Sequence, residues 1–230
     1  MAMGTNSRLD CESRKCQILA AVRKIFSRKG LEGTTTRELA KEAGVSEALL
    51  YKHYPSKEAL YKAMLSSCDS EFMGELKKVT SLEPSSSTLA TLVHFMVGAM
   101  LKRQVPDLEI RIRLYLQSLL GDGEFARFIV KQKQESCSVV SKVADCIKAA
   151  TEAGDIIESP VPAHLRALLI DRLAFMLVSD LLPERPAVDY GESREKLIEH
   201  TVWFALRGIG MKDEAIRRHY NPKALALFAA

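Results

Sequence analysis

The chain has 230 residues, of which 47% are apolar and 27% charged, with a formal net charge of +4. This is ordinary for a soluble globular protein, long enough for one large or two modest domains that need no covalent staples. No apolar run reaches about 18 residues without charges, which excludes a membrane-spanning helix; the nearest, 167–182, is broken by Asp171, Arg172 and Asp180. Met1–Asp10 is polar and holds no leader-like apolar core, so a cytoplasmic protein with a loose tail over 1–12 is expected. The five cysteines, at 11, 16, 68, 137 and 146, are odd in number and contain no Cys-x-x-Cys, which favours free thiols in a reducing compartment.

In chain order, the first helix is marked by Ile18, Val22, Ile25 and Phe26, spaced as a stripe facing a core, and is closed by Lys29-Gly30. Thr35 and Glu38 then have capping-box spacing at the start of a second helix, with Leu39, Ala40 and Ala43 as its apolar face. Gly44 suits a sharp helix exit, Val45 tucks inward, and Ser46 caps a third helix. In that helix Leu50 and Tyr54 pack inward, while Glu47, Ala48, Tyr51 and Lys52 face out. Pro55 stops it, and Ser56 caps a fourth helix bearing Leu60, Met64 and Cys68, expected to run to about Val79. Two short helices joined by a tight turn can lay the second in the DNA major groove.

Beyond this unit the chain reads as helix throughout, with every proline at a boundary and no strand candidate between hairpin turns. Residues 80–87 form a loop. Residues 88–104 form a helix with Leu89, Leu92, Val93, Met96 and Met100 on one side. Residues 106–120 carry a stripe of Leu108, Ile112, Tyr115 and Leu119, and Gly121-Asp122-Gly123 is a turn. One long helix is expected over 124–153, and a final pair over 163–182 and 192–208. A short helix and tail follow at 212–229. In the final pair apolar residues extend around more than one face, which marks deep burial or an interface.

Charge separates the two parts. Residues 1–65 hold 12 Lys+Arg against 7 Asp+Glu, whereas 66–230 hold 21 against 22, so the positive excess travels with the helix pair. The stretch Phe26 to Leu60, with its Gly-x-x-x-Thr-Thr entry, Ala-Gly-Val-Ser turn and Tyr-x-x-Tyr-Pro-Ser-Lys exit, closely resembles the N-terminal domain of the TetR family of transcriptional regulators. The likeness spans about residues 14–65; beyond it only length and helical character are compatible.

The expected fold is therefore all-α: a three-helix helix-turn-helix DNA-binding domain over 1–65, and a larger helical effector-binding and dimerisation domain over 66–230. The resemblance implies a ligand-responsive repressor that binds a palindromic operator in double-stranded DNA as a homodimer and is released by a small, largely apolar effector. It implies DNA contacts at Thr36, Arg37, Glu47, Ala48, Leu49, Tyr51, Lys52, His53 and Lys57. Glu47 departs from the basic or amide residues usual at its place; it either accepts from cytosine N4 or repels phosphates while capping the helix. The resemblance also implies an effector pocket lined by Met96, Met100, Tyr115 and Phe128, with His94 and Arg111 as polar anchors. It implies a dimer bundle of the last two long helices, through Leu169, Leu173, Phe175, Met176, Leu197, Thr201, Trp203 and Phe204.

The competing classes are a helical enzyme and a ligand-binding or scaffold protein. The sequence holds no His-Glu-x-x-His, P-loop or Gly-x-Ser-x-Gly. Its histidines, at 53, 94, 164, 200 and 219, lack metal-ligand spacing, and no cofactor is expected.

Overall fold

A computed structural model describes residues 4–31, 33–66, 77–102, 108–136 and 139–228. They are helical, and the one β feature among them is an isolated antiparallel bridge between Ile156 and Met211. The chain divides into two compact units. The first gathers residues 1–69 and 109–129, the second 70–108 and 130–230.

The first unit contains α1 (Gly4–Lys29), α2 (Thr36–Glu42), α3 (Glu47–His53) and α4 (Lys57–Ser66), together with α6 (Leu108–Leu120) from Glu109 onward and the start of α7 (Glu124–Ser136). Ile18, Val22 and Phe26 of α1 meet Leu39 and Ala40 of α2, Leu50 of α3 and Tyr54 at its end, and Leu60 and Met64 of α4. Leu114 of α6 closes this core, and Ile110, Tyr115, Phe128 and Ile129 pack against it. The ring of Tyr61 stands edge-on to Phe26 with centroids 4.9 Å apart. Burial and then the charge of Asp122 push the Tyr61 phenol up to about 12.

The second unit is organised around α5 (Ser86–Leu101). α8 (Val139–Glu152), α9 (Ala163–Asp180) and α10 (Arg194–Gly208) pack against it, with α11 (Asp213–His219) and α12 (Pro222–Phe228) beside them. Leu89, Leu92, Val93, Val97 and Leu101 of α5 are buried against these neighbours. Asp155, just after α8, is a polar clasp. It accepts from the Ser86 hydroxyl (2.7 Å), faces His219 Nε2 (3.1 Å) and pairs with Arg218 (3.5 Å). The Ser86 hydrogen bond is the largest cause holding its carboxyl below the usual range. Its carbonyl also accepts from Lys212 N, and Ile157 N donates to Gly210 O, so the ends of α8 and α10 are tied together.

Several expectations need correction. Residues 4–12, expected as a loose tail, are helical and continue α1. The helix expected over 124–153 is described as two, α7 and α8, with 137 and 138 outside the described residues. The C-terminal stretch holds two short helices where one and a tail were expected. Of the stripe expected on α6, Leu108 and Ile112 are buried, whereas Leu119 is exposed and Leu114 is buried in addition. Residues 67–76, including Cys68 and most of the stretch expected to extend α4 to Val79, lie outside the described residues. So does Pro106.

Leu114 is separated from the helix-turn-helix by more than fifty residues yet belongs to its core. Leu114→Ala should cost about 2–5 kcal/mol, the range for truncating a fully buried leucine. Hydrogen exchange should show the loss in α1–α4. Unchanged protection of those helices would remove α6 from their core.

Candidate nucleic-acid interface

The turn between α2 and α3 is fixed by its own chemistry. Thr35 caps α2 by accepting from Glu38 N, and the Glu38 carboxylate returns to Thr35 N at 3.0 Å, completing the capping box. The helix exit is a Schellman arrangement: Gly44 N donates to Lys41 O and Val45 N to Ala40 O. It requires the positive φ of +64° that Gly44 adopts, a conformation that strains any residue with a Cβ. Ser46 then caps α3 by accepting from Leu49 N at 3.1 Å.

Further ties were not legible in the sequence. Lys29, at the end of α1, pairs with Glu38 at 2.5 Å. The Tyr54 hydroxyl donates to Lys15 O across 3.4 Å, linking the end of α3 to α1. Lys57 Nζ donates to Thr34 O at 3.2 Å, holding the segment before α2 against the start of α4. Only Glu38 was foreshadowed, by its position in the capping box. The others join residues with no fixed sequence spacing.

With Leu50 and Tyr54 turned inward, α3 presents Glu47, Ala48, Tyr51 and Lys52 as one exposed stripe, with Leu49 and His53 half-buried at its flanks. Arg37 is exposed on α2, and Thr36 and Lys57 are half-buried. Thr36 and Tyr51 bring their hydroxyls within 3.1 Å, so α2 and α3 offer two polar groups at one point. The side chains of Arg37, Glu47 and Lys52 hold no hydrogen bond or ion pair among the described residues. This arrangement offers donors for phosphate oxygens beside side chains long enough to reach base edges.

The residues suggested for an effector are divided between the units. Tyr115 and Phe128 pack on the core of the first, and Arg111 is in the same unit, whereas His94, Met96 and Met100 are in the second. A helix turns about 200° between residues two apart, so His94 and Met96 leave α5 on different faces. Of those suggested for a dimer contact, Leu169, Met176 and Phe204 are 56%, 57% and 69% exposed. Leu173, Phe175, Leu197 and Trp203 are half-buried, and Thr201 is buried within its unit. Arg172 pairs with Asp171 at 2.7 Å and lies over the Phe175 ring. Among the described residues no cluster of His, Cys, Asp or Glu could hold a metal, Cys16 and Cys146 are free thiols, and no helix is long and apolar enough to cross a membrane.

A seven-residue helix held by a capped turn, with a polar stripe facing out, defines a helix-turn-helix DNA-binding domain. Residues 18–64 match the bacterial regulatory proteins of the tetR family, so the N-terminal helix-turn-helix domain is of the tetR type. Over 76 residues, a third of this chain, it is 34% identical to the nucleoid occlusion factor SlmA of Mannheimia succiniciproducens, and the match covers 35% of that relative's length. In fold, the chain is similar to a regulatory protein in the tetR family from Rhodococcus RHA1 (TM-score 0.65, 21% identity, 87% of this chain and 98% of that one). It is also similar to AibR in complex with isovaleryl coenzyme A and operator DNA (TM-score 0.60, 19% identity, 83% and 97%).

Glu38 carries the electrostatics of the turn. Hydrogen bonds from Lys29, then from the Thr35 amide and hydroxyl, lower its carboxyl from 4.5 to about 2. A depressed carboxylate contributes stability that is fully present above 4.5 and is lost as pH falls towards 2. A carboxyl-carbon NMR titration should place the Glu38 midpoint near 2, and Lys29→Met should raise it. A midpoint near 4.5 in the unaltered protein would show that the pairing does not persist in solution.

Proposed function

We propose that the protein is a cytoplasmic, ligand-responsive transcriptional repressor that binds a palindromic operator as a homodimer and is released by a small-molecule effector. The observation that carries this reading is the exposed stripe of α3 beside Arg37, on a unit whose charge excess is positive. Tyr51, Lys52, His53, Thr36 and Lys57 position the head on phosphates, and Arg37 reads a base. Ala48 and Leu49 lie against the groove. Glu47, unpaired and exposed at the N-terminus of α3, keeps that end off the phosphates and complements the helix dipole.

A dimer follows from the size of the reader. One short helix makes too few contacts for a specific site, and two half-sites on one face of the duplex double them. Leu165, Leu169 and Met176 of α9 and Phe204 of α10 leave an apolar surface on the last two long helices, the kind of surface a second copy covers. Effector release requires only that the ligand favour a state that fits the operator less well.

Duplexes selected from a random pool by the full-length protein should contain an inverted repeat, and failure to select any at low salt would remove the regulator reading. On such a site Arg37→Ala should weaken binding by about 1–3 kcal/mol and relax the preference at one position; equal loss on random duplex would assign Arg37 to phosphate instead. Phe204→Glu should yield a folded monomer in sedimentation, with operator affinity falling towards its non-specific level. A dimer that survives this change would place the interface elsewhere.

A further inference from the structure

α2 and α3 meet at two hydroxyls. Thr36 is the first residue of α2, directly after Thr35, so the capping box fixes its place. Thr35 does the capping, and the Thr36 hydroxyl is not needed for it. Tyr51 follows the buried Leu50 in α3, whose burial fixes the rotation of that helix. Thr36 Oγ1 and the Tyr51 hydroxyl oxygen are 3.1 Å apart, and either can donate. Tyr51 is 47% exposed on the outer stripe of α3, whereas Thr36 is half-buried. Neither side chain holds another hydrogen bond among the described residues.

Two hydroxyls that share one hydrogen bond keep one O–H between them, whichever of them donates. The pair therefore serves an outside acceptor as a unit. A phosphate oxygen only accepts, so at the exposed Tyr51 it takes the phenol proton, and the Tyr51 oxygen then accepts from Thr36. The acceptor, not the free protein, sets the direction of the chain. Each bond in such a chain polarises the next. The tie to α2 also holds the phenol in place before DNA arrives, which lowers the cost of ordering it. Charge along the stripe selects where a phosphate comes. Glu47, exposed and acidic, is one turn before Tyr51, and Lys52, exposed and basic, is next to it. A phosphate is disfavoured at the first turn of α3 and favoured at the Tyr51–Lys52 end.

We propose that Thr36 and Tyr51 form a relay that seats one backbone phosphate in each half-site. Tyr51 makes the contact. Thr36 is a positioning residue that acts on that phosphate through Tyr51 and binds none of its own. The pair thus counts as one contact with the duplex, not two. The assignment rests on the reading of α3 as the helix that enters the groove; it adds how α2 takes part in seating that helix.

The test uses the full-length protein and a duplex it has selected from a random pool, with single methylphosphonate substitutions that each neutralise one phosphate. Failure to select any duplex removes the DNA-binding reading and the relay together; every other outcome bears on the relay alone. Tyr51→Phe should weaken binding about tenfold per half-site, the scale of one hydrogen bond to a charged group. It should also abolish the effect of methylphosphonate at one phosphate per half-site and leave the others as they were. Thr36→Val, which keeps the shape and removes the hydroxyl, should weaken binding by less and reduce the effect at that same phosphate. Thr36→Ser should restore both. In the double variant the loss should equal that of Tyr51→Phe alone. Thr36→Val that binds as the unaltered protein does, losses that multiply in the double variant, or effects of the two changes at different phosphates overturn the relay. So does a Thr36→Val loss spread evenly over all phosphates and not restored by serine, which marks a structural role, and so does a Tyr51→Phe loss with every phosphate effect intact.

Discussion

A seven-residue helix has no stability of its own, because nucleation costs more than two turns return. α3 exists because Leu50 and Tyr54 are buried among α1, α2 and α4. That burial sets which residues face out, since turning α3 by one residue would carry the stripe of Glu47, Ala48, Tyr51 and Lys52 off the surface. Every device around it serves to hold that rotation. The capping box starts α2, Gly44 reverses the chain, and Ser46 begins α3 where Leu50 points inward. Lys57 and Tyr54 then fasten the segment before α2 and the end of α3 to their neighbours.

The same core explains why the reading unit is not a contiguous stretch of chain. Ile18, Val22 and Phe26 present a wider apolar face than α2–α4 cover, and Leu114 with Ile110, Tyr115, Phe128 and Ile129 completes it. A perturbation reaching residues 109–129 therefore acts on the core that orients α3, without any need for a separate relay. Such coupling is physical only if those residues have two arrangements whose balance an effector shifts. Tyr61 is where such a shift would register, because its phenol already feels the charge of Asp122 in the turn between α6 and α7.

The reading head was largely legible in the sequence because its signals are local. Thr35 and Glu38 are three apart, Gly44 and Ser46 bracket one turn, and Leu50 and Tyr54 are four apart. The face of α6 was legible only in part, for a definite reason. Leu108, Ile110, Ile112, Leu114, Tyr115, Leu116, Leu119 and Leu120 place apolar residues around the helix, so periodicity alone favours no single face. Leu108 and Ile112 of the expected stripe are buried and Tyr115 packs on the core, but Leu114 is buried as well and Leu119 is exposed. The residues expected at an effector pocket are divided between the units, with His94, Met96 and Met100 on α5 and Arg111, Tyr115 and Phe128 in the first.

The second unit differs in kind, since its sequence shows burial but not purpose. α9 and α10 are apolar on faces that their own chain leaves uncovered at Leu169, Met176 and Phe204. On α5 the buried Gly98 is one turn from the half-buried His94. The stability of a lone subunit needs no exposed apolar residues at 169, 176 and 204. In the proposed dimer a second copy covers them. The clasp at Asp155, which ties Ser86 to His219, fastens α11 beside α5 at the residue next to Tyr220.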